Sequence, residues 1–88
     1  MESQTVTVIN KTGLHARPAA TFARAAQGYK STIKIQYNNK SVNAKSTVSI
    51  LSAGISCGSV IELITDGEDE VIALQTLTQL LNSGCGEV

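Results

Sequence analysis

The sequence predicts an α+β domain in which strands and amphipathic helices follow one another as β-α-β-β-α-β-α. Three observations lead there. Residues 5–9 and 32–37 alternate polar and apolar side chains at the period of a half-buried strand. Residues 16–27 and the stretch after residue 68 repeat apolar side chains at helical spacing. Asn38-Asn39 and Asp66-Gly67 supply turns where the pattern changes. A sheet with one apolar face needs that face covered, so the helices are expected together on one side of four strands.

Taken in order, residues 5–9 make the first strand, and Asn10-Lys11-Thr12-Gly13 a loop. The first helix runs from Ala16 to Gln27, burying Ala19, Phe22, Ala23 and Ala26, with Gly28 placed to stop it. Arg17, Ala20, Thr21, Arg24 and Gln27 form its outer stripe, which by itself reads as ordinary solvated helix surface. Residues 32–37 are the second strand. Asn38-Asn39 can adopt the positive φ of a tight hairpin, so residues 40–44 return as a short third strand. Ser46 reads as the N-cap of a brief helix over residues 47–52 that ends near Gly54. Residues 60–65 are the most apolar strand and are expected at the centre of the sheet. The last helix should run from Glu68 or Asp69 to Asn82, its acidic start complementing the helix dipole. Ala73, Leu74, Leu77, Leu80 and Leu81 form its buried face, and residues 83–88 are expected to be a mobile tail.

The 88 residues suffice for one small domain, with a core mainly of Val, Ile, Leu and Ala, because there is one Phe and no Trp. A formal net charge of zero argues against a nucleic-acid binder that relies on a broad basic surface. All seven basic residues nevertheless lie between Lys11 and Lys45, which permits a basic face in the first half of the chain. Met1-Glu2-Ser3-Gln4 lacks the basic and apolar regions of a signal peptide, and no apolar run approaches a membrane span. Cys57 and Cys85 suggest neither a disulfide framework nor a zinc site, so a reducing cytoplasmic setting is the simplest expectation. A single histidine without neighbouring Cys, Asp or Glu offers no metal site, and no cofactor is implied.

The residues that carry chemistry are concentrated in Gly13-Leu14-His15-Ala16-Arg17-Pro18-Ala19-Ala20, which holds the only histidine and the only proline. Pro18 fits the first turn of a helix, where its missing N–H leaves nothing unpaired. His15 therefore stands at a helix start, where backbone N–H groups and the positive end of the dipole favour anions, phosphate especially. Arg17 adds a planar guanidinium suited to phosphate oxygens. A histidine there is a candidate phosphoryl acceptor. The same residues also satisfy plain helix-start chemistry, and spacing alone leaves both readings open.

This stretch closely resembles the phosphorylation-site motif of the HPr family, the histidine-containing phosphocarriers of the bacterial phosphoenolpyruvate-dependent sugar phosphotransferase system. The resemblance extends to Lys45-Ser46 and to Asp66-Gly67-Glu68-Asp69-Glu70. It implies an open-faced β-sandwich with a mainly antiparallel sheet in the order 1-4-2-3 and three helices on one face. It also implies that His15 carries the phosphoryl group, on Nδ1, with Arg17 and the backbone N–H groups of Ala16 and Arg17 holding its oxygens. Enzyme I would donate and sugar-specific IIA components accept. Both would dock on Thr12, Ala16, Arg17, Ala20, Arg24, Gln27, Thr47, Val48 and Leu51. Such a carrier turns nothing over alone. Thr47-Val48 departs from the bulkier apolar residues usual in the family, which bears on docking and not on the phosphate site. Ser46 reads by itself as an N-cap, and the resemblance adds a second, compatible expectation, regulatory phosphorylation by a serine kinase, with the product binding a transcriptional regulator. A specialised, mainly regulatory relative is the rival reading. A small-molecule-binding domain is a third, and it requires the histidine motif to be coincidence.

Overall fold

The computed structural model describes residues 1–86. Strands β1 (Glu2–Thr7), β2 (Thr32–Tyr37), β3 (Lys40–Asn43) and β4 (Val60–Asp66) form one sheet in the order β1-β4-β2-β3, with every pairing antiparallel. Helices α1 (Ala16–Gln27), α2 (Thr47–Ser52) and α3 (Glu70–Asn82) complete the βαββαβα order. The most apolar strand, β4, does sit inside the sheet, between β1 and β2.

Period-two alternation explains the core. Val6, Ile33, Ile35, Val42, Ile61 and Leu63 point to the covered face and are buried, with Ile35 opposite both Val42 and Leu63. Thr5, Glu62, Gln36 and Ser41 lie across the same strands on the open face. The helices add Ala19, Phe22, Ala23, Ala26, Ile50, Ala73, Leu77 and Leu81 to one continuous cluster. Burying each large aliphatic or aromatic chain contributes roughly 1.5–3 kcal/mol. The small alanines on α1 let that helix lie close to its neighbours, and Phe22 is fully buried in the same cluster.

Several boundaries differ from the sequence reading. Pairing of β1 starts at Glu2, opposite Thr65, and not at Thr5, because β4 is long enough to meet it. It ends at Thr7. Beyond it the Val8 N–H donates to the Ser59 carbonyl at 2.9 Å and the Gly58 N–H to the Val8 carbonyl at 2.8 Å, while Ile9 faces outward. Gly28 does end α1, yet with φ −74° it makes no use of glycine's left-handed freedom. Tightened bonds from Gly28 to Ala25 and Tyr29 to Ala26 close the helix instead. The hairpin is as expected, with Asn38 and Asn39 at φ 50° and 64°. Leu74 and Leu80 are only partly buried on α3. The expected tail also needs correction. Residues Gly84–Gly86 form a tight turn, with Gly84 and Cys85 buried and the Gly84 carbonyl accepting the Asn10 side chain at 2.7 Å. Glu87 and Val88, the rest of that expectation, lie outside the described residues.

Two loops are held by specific contacts. Asp69, the N-cap of α3, does not cap its own helix with its side chain. Its carboxylate reaches back to the α1–β2 loop, accepting the Lys30 and Ser31 N–H groups, each at 2.9 Å, and the Ser31 hydroxyl. Glu70 takes over the start of α3, accepting the Gly67 N–H at 3.0 Å. Between β1 and α1, Gly13 adopts φ 69° and lies so close to the following loop that an added Cβ would sit 2.2 Å from the Ile55 carbonyl oxygen. Leu14, buried, donates its N–H to the same carbonyl at 3.0 Å.

Hydrogen bonds, from the Ser31 hydroxyl first and then the Lys30 amide, hold the Asp69 carboxyl down to about 2 from an ordinary 3.8. Glu70 is lowered too, by the Gly67 amide first. A carboxyl lowered by folding contributes stability that is complete above its unfolded pKa and disappears as pH falls through the folded one. Urea unfolding should therefore show stability falling between about pH 4 and pH 2, and Asp69→Asn should be less stable at neutral pH and flatter across that window. Gly13→Ala should lose at least ~1–2 kcal/mol from its left-handed backbone alone, with a further loss from the Ile55 contact, read as a lower urea midpoint.

Candidate functional site

The anchored Gly13-Leu14 pair delivers His15 to the start of α1. His15 is the N-cap, in extended conformation (φ −79°, ψ −166°), and its carbonyl accepts the Ala19 N–H at 2.9 Å, the first bond of the helix. Its imidazole makes no capping bond and is exposed. The ring is thus outside the core, at the positive end of a three-turn helix.

An α-helix leaves the N–H groups of its first turn outside its own ladder. In α1 those belong to Ala16 and Arg17, since Pro18 has none and its ring is buried. The first turn itself carries no acidic side chain. Arg17 is exposed beside them. Histidine, backbone donors and guanidinium are therefore contributed by three consecutive residues at one helix end, an arrangement able to hold an oxyanion on an imidazole nitrogen. Among the described residues no cluster of His, Cys, Asp or Glu could hold a metal ion, and no helix is long and apolar enough to cross a membrane.

The other expected residues lie along α1 and α2. Thr12, Arg24 and Gln27 are exposed, Ala20 and Thr47 half-buried. On α2, Val48 and Leu51 expose 72% and 40% of their surface, an i,i+3 apolar pair in contact with solvent. Ser46 does cap α2, its hydroxyl accepting the Ser49 N–H at 3.2 Å. It is not beside His15. The Gln27 side chain donates to the Lys45 carbonyl at 2.9 Å, so Ser46 stands at the far end of α1, a helix roughly 18 Å long at ~1.5 Å per residue.

Sequence reasoning missed two parts of this site. The Ile55 carbonyl, in a stretch read only as a loop, is what holds Leu14. Asn10, also read as loop, is 2% exposed. Its signal was in the alternation: Val6 and Val8 face inward, and Asn10 continues the same parity.

Comparison with known proteins agrees with this geometry. The family model described as the PTS HPr component phosphorylation site matches residues 2–83. The phosphocarrier protein HPr of Neisseria meningitidis serogroup A is 41% identical over 87 residues, covering 99% of this chain and 98% of that one. The crystal structure of HPr-C-His from Thermoanaerobacter tengcongensis superposes with a TM-score of 0.95 at 45% identity, covering 100% of this chain and 99% of that one. The solution structure of Crh, the Bacillus subtilis catabolite repression HPr, gives 0.67 at 41% identity over 91% of this chain and 95% of that one. With the fold matched throughout and the motif in place at the head of α1, the chain belongs to the HPr family of phosphocarrier proteins of the phosphotransferase system.

Proposed function

We propose that His15 accepts a phosphoryl group from phospho-enzyme I, charged by phosphoenolpyruvate, and passes it to sugar-specific IIA components in the cytoplasm. The observation that carries this reading is an exposed imidazole at the N-cap of α1 with no capping bond of its own. In the step itself the Nδ1 lone pair attacks phosphorus, the donor's bond to phosphorus breaks, and its electron pair returns to the donor. The Ala16 and Arg17 N–H groups and the Arg17 guanidinium receive the oxygens of the dianion.

Magnitudes fix the division of labour. A helix terminus contributes roughly 0.3–1 kcal/mol to an exposed charge, too little to account for fast transfer. Positioning of donor and acceptor supplies far more, ~7–11 kcal/mol in well-oriented systems, and that alignment comes from the partner enzymes. The chain is a carrier and no catalyst by itself. A carrier must also let go of each partner, which favours a small contact. Val48 and Leu51 provide its apolar centre, Arg17 and Arg24 its basic rim, and Thr12, Ala20, Gln27 and Thr47 its margins.

Ser46 supports a second, compatible reading as a regulatory phosphorylation site. It borders that contact through the Gln27–Lys45 bond without touching His15, and Crh, similar along the chain, is described as a catabolite repression protein. A phosphate there would place negative charge beside a basic rim and weaken docking. A serine kinase and a transcriptional regulator are the partners this reading adds.

Three variants test these readings with enzyme I, phosphoenolpyruvate and a IIA component. His15→Ala should fold normally and take up no acid-labile label. Full labelling would remove His15 from the role. Arg17→Ala should transfer ~10–100-fold more slowly, the value of one charge-assisted hydrogen bond, while its stability changes by less than ~0.5 kcal/mol. Ser46→Asp, which can still cap α2, should raise KM for enzyme I with kcat unchanged.

A further inference from the structure

Asn10 is a buried amide with a divided hydrogen-bonding role. Its side-chain N–H donates to the Gly84 carbonyl at 2.7 Å, and its main-chain carbonyl accepts the Gly13 N–H at 2.9 Å. One residue thereby joins the C-terminal turn to the turn that sets His15. The joint is not cheap. The Asn10 Oδ1 atom is buried and has no partner among the described residues, whereas buried polar atoms are nearly always satisfied. On the other side, Gly84 and Cys85 are consecutive left-handed residues at φ 73° and 53°, a conformation that a side chain with a Cβ disfavours. Cys85 is nevertheless 4% exposed and part of the core cluster, and its turn packs against α1. An apolar residue at position 10 would follow Val6 and Val8 inward and remove the orphaned Oδ1, but it would take the donor from the Gly84 carbonyl, so what the amide adds over an apolar side chain is the tie to that turn. Strain that persists because its surroundings over-determine it tends to gather where geometry matters.

We propose that Asn10 is a positioning residue for phosphoryl acceptance: by clasping the Gly84–Gly86 turn it fixes the Gly13 turn, and through it the direction in which His15 leaves the loop. The proposal rests on the reading of His15 as the acceptor. It predicts that docking and transfer separate, because the apolar centre and arginine rim of the contact, on α1 and α2, are untouched and only the marginal Thr12 lies in the disturbed turn, while the acceptor is misaligned.

The experiment is steady-state transfer from enzyme I with each variant of the full chain as acceptor. Asn10→Ala should lower kcat by ~10-fold, the scale expected for a small misplacement of reacting groups, with KM within ~2-fold. Gly84→Ala, which unseats the other half of the clasp, should do the same. The double variant should be no slower than either single one, as expected for two residues acting through one contact. Asp69→Asn, weakened at the loop on the opposite end of α1, should keep the parental kcat, which separates positioning from loss of stability. Parental kcat in Asn10→Ala, losses that multiply in the double variant, or an equal fall in Asp69→Asn would overturn the proposal. Should Asn10→Ala fail to fold, Gly84→Ala alone decides by the same criterion. Labelling of His15→Ala would instead overturn the reading on which the proposal rests.

Discussion

Everything at the head of α1 depends on how closely the backbone at Gly13 approaches the carbonyl of Ile55. Only a residue without a Cβ can take φ 69° and pass that carbonyl, which an added carbon would meet at 2.2 Å. The same oxygen then accepts the Leu14 N–H, and Leu14 drops into the core. With both residues pinned, His15 has a single way to enter the helix: extended, with its carbonyl turned into the helix and its ring turned out. The exposed imidazole is thus a consequence of buried contacts two residues earlier. A mobile histidine would lose this fixed direction of exit from the loop.

The rest of the chain separates tasks along α1. At its start stand the groups proposed to hold the anion. Along its outer stripe and on α2 lie an apolar pair and two arginines suited to brief protein contacts. Past its end the Asp69 carboxylate ties the α1–β2 loop to the start of α3 through the Lys30 and Ser31 amides. That tie is electrostatic and pH-dependent, and it is remote from His15. The sheet carries all of this on its covered face, with β4 in the interior and the open face lined by polar residues such as Thr5, Gln36 and Glu62.

What was legible in the sequence was local. Alternation located the strands, helical spacing located α1 and α3, Asn38-Asn39 announced the hairpin, and Ser46 capped the helix it was expected to cap. Gly13, His15, Arg17 and Pro18 fall within six residues because a helix start gathers its chemistry locally. What escaped was long-range. Asp69 looked like helix-dipole chemistry and proved to bridge two loops 38 residues apart in sequence. Glu2 to Gln4 carry no strand alternation of their own, and they join β1 because strand ends depend on the partner, here β4. The Gly84–Gly86 turn looked like a tail, because its tie is a side chain at Asn10, 74 residues away. Strand order came from the family resemblance and not from periodicity, which specifies faces and not neighbours.

The account as a whole requires that the phosphate sit on the His15 ring and against the N–H groups opening α1. The most direct measurement is the NMR spectrum of the ¹⁵N-labelled protein before and after incubation with phosphoenolpyruvate and enzyme I. The account predicts phosphorylation at Nδ1 of His15 together with downfield movement of the Ala16 and Arg17 amide resonances. A phosphate attached elsewhere, or one on the ring that leaves both amides unmoved, would contradict it.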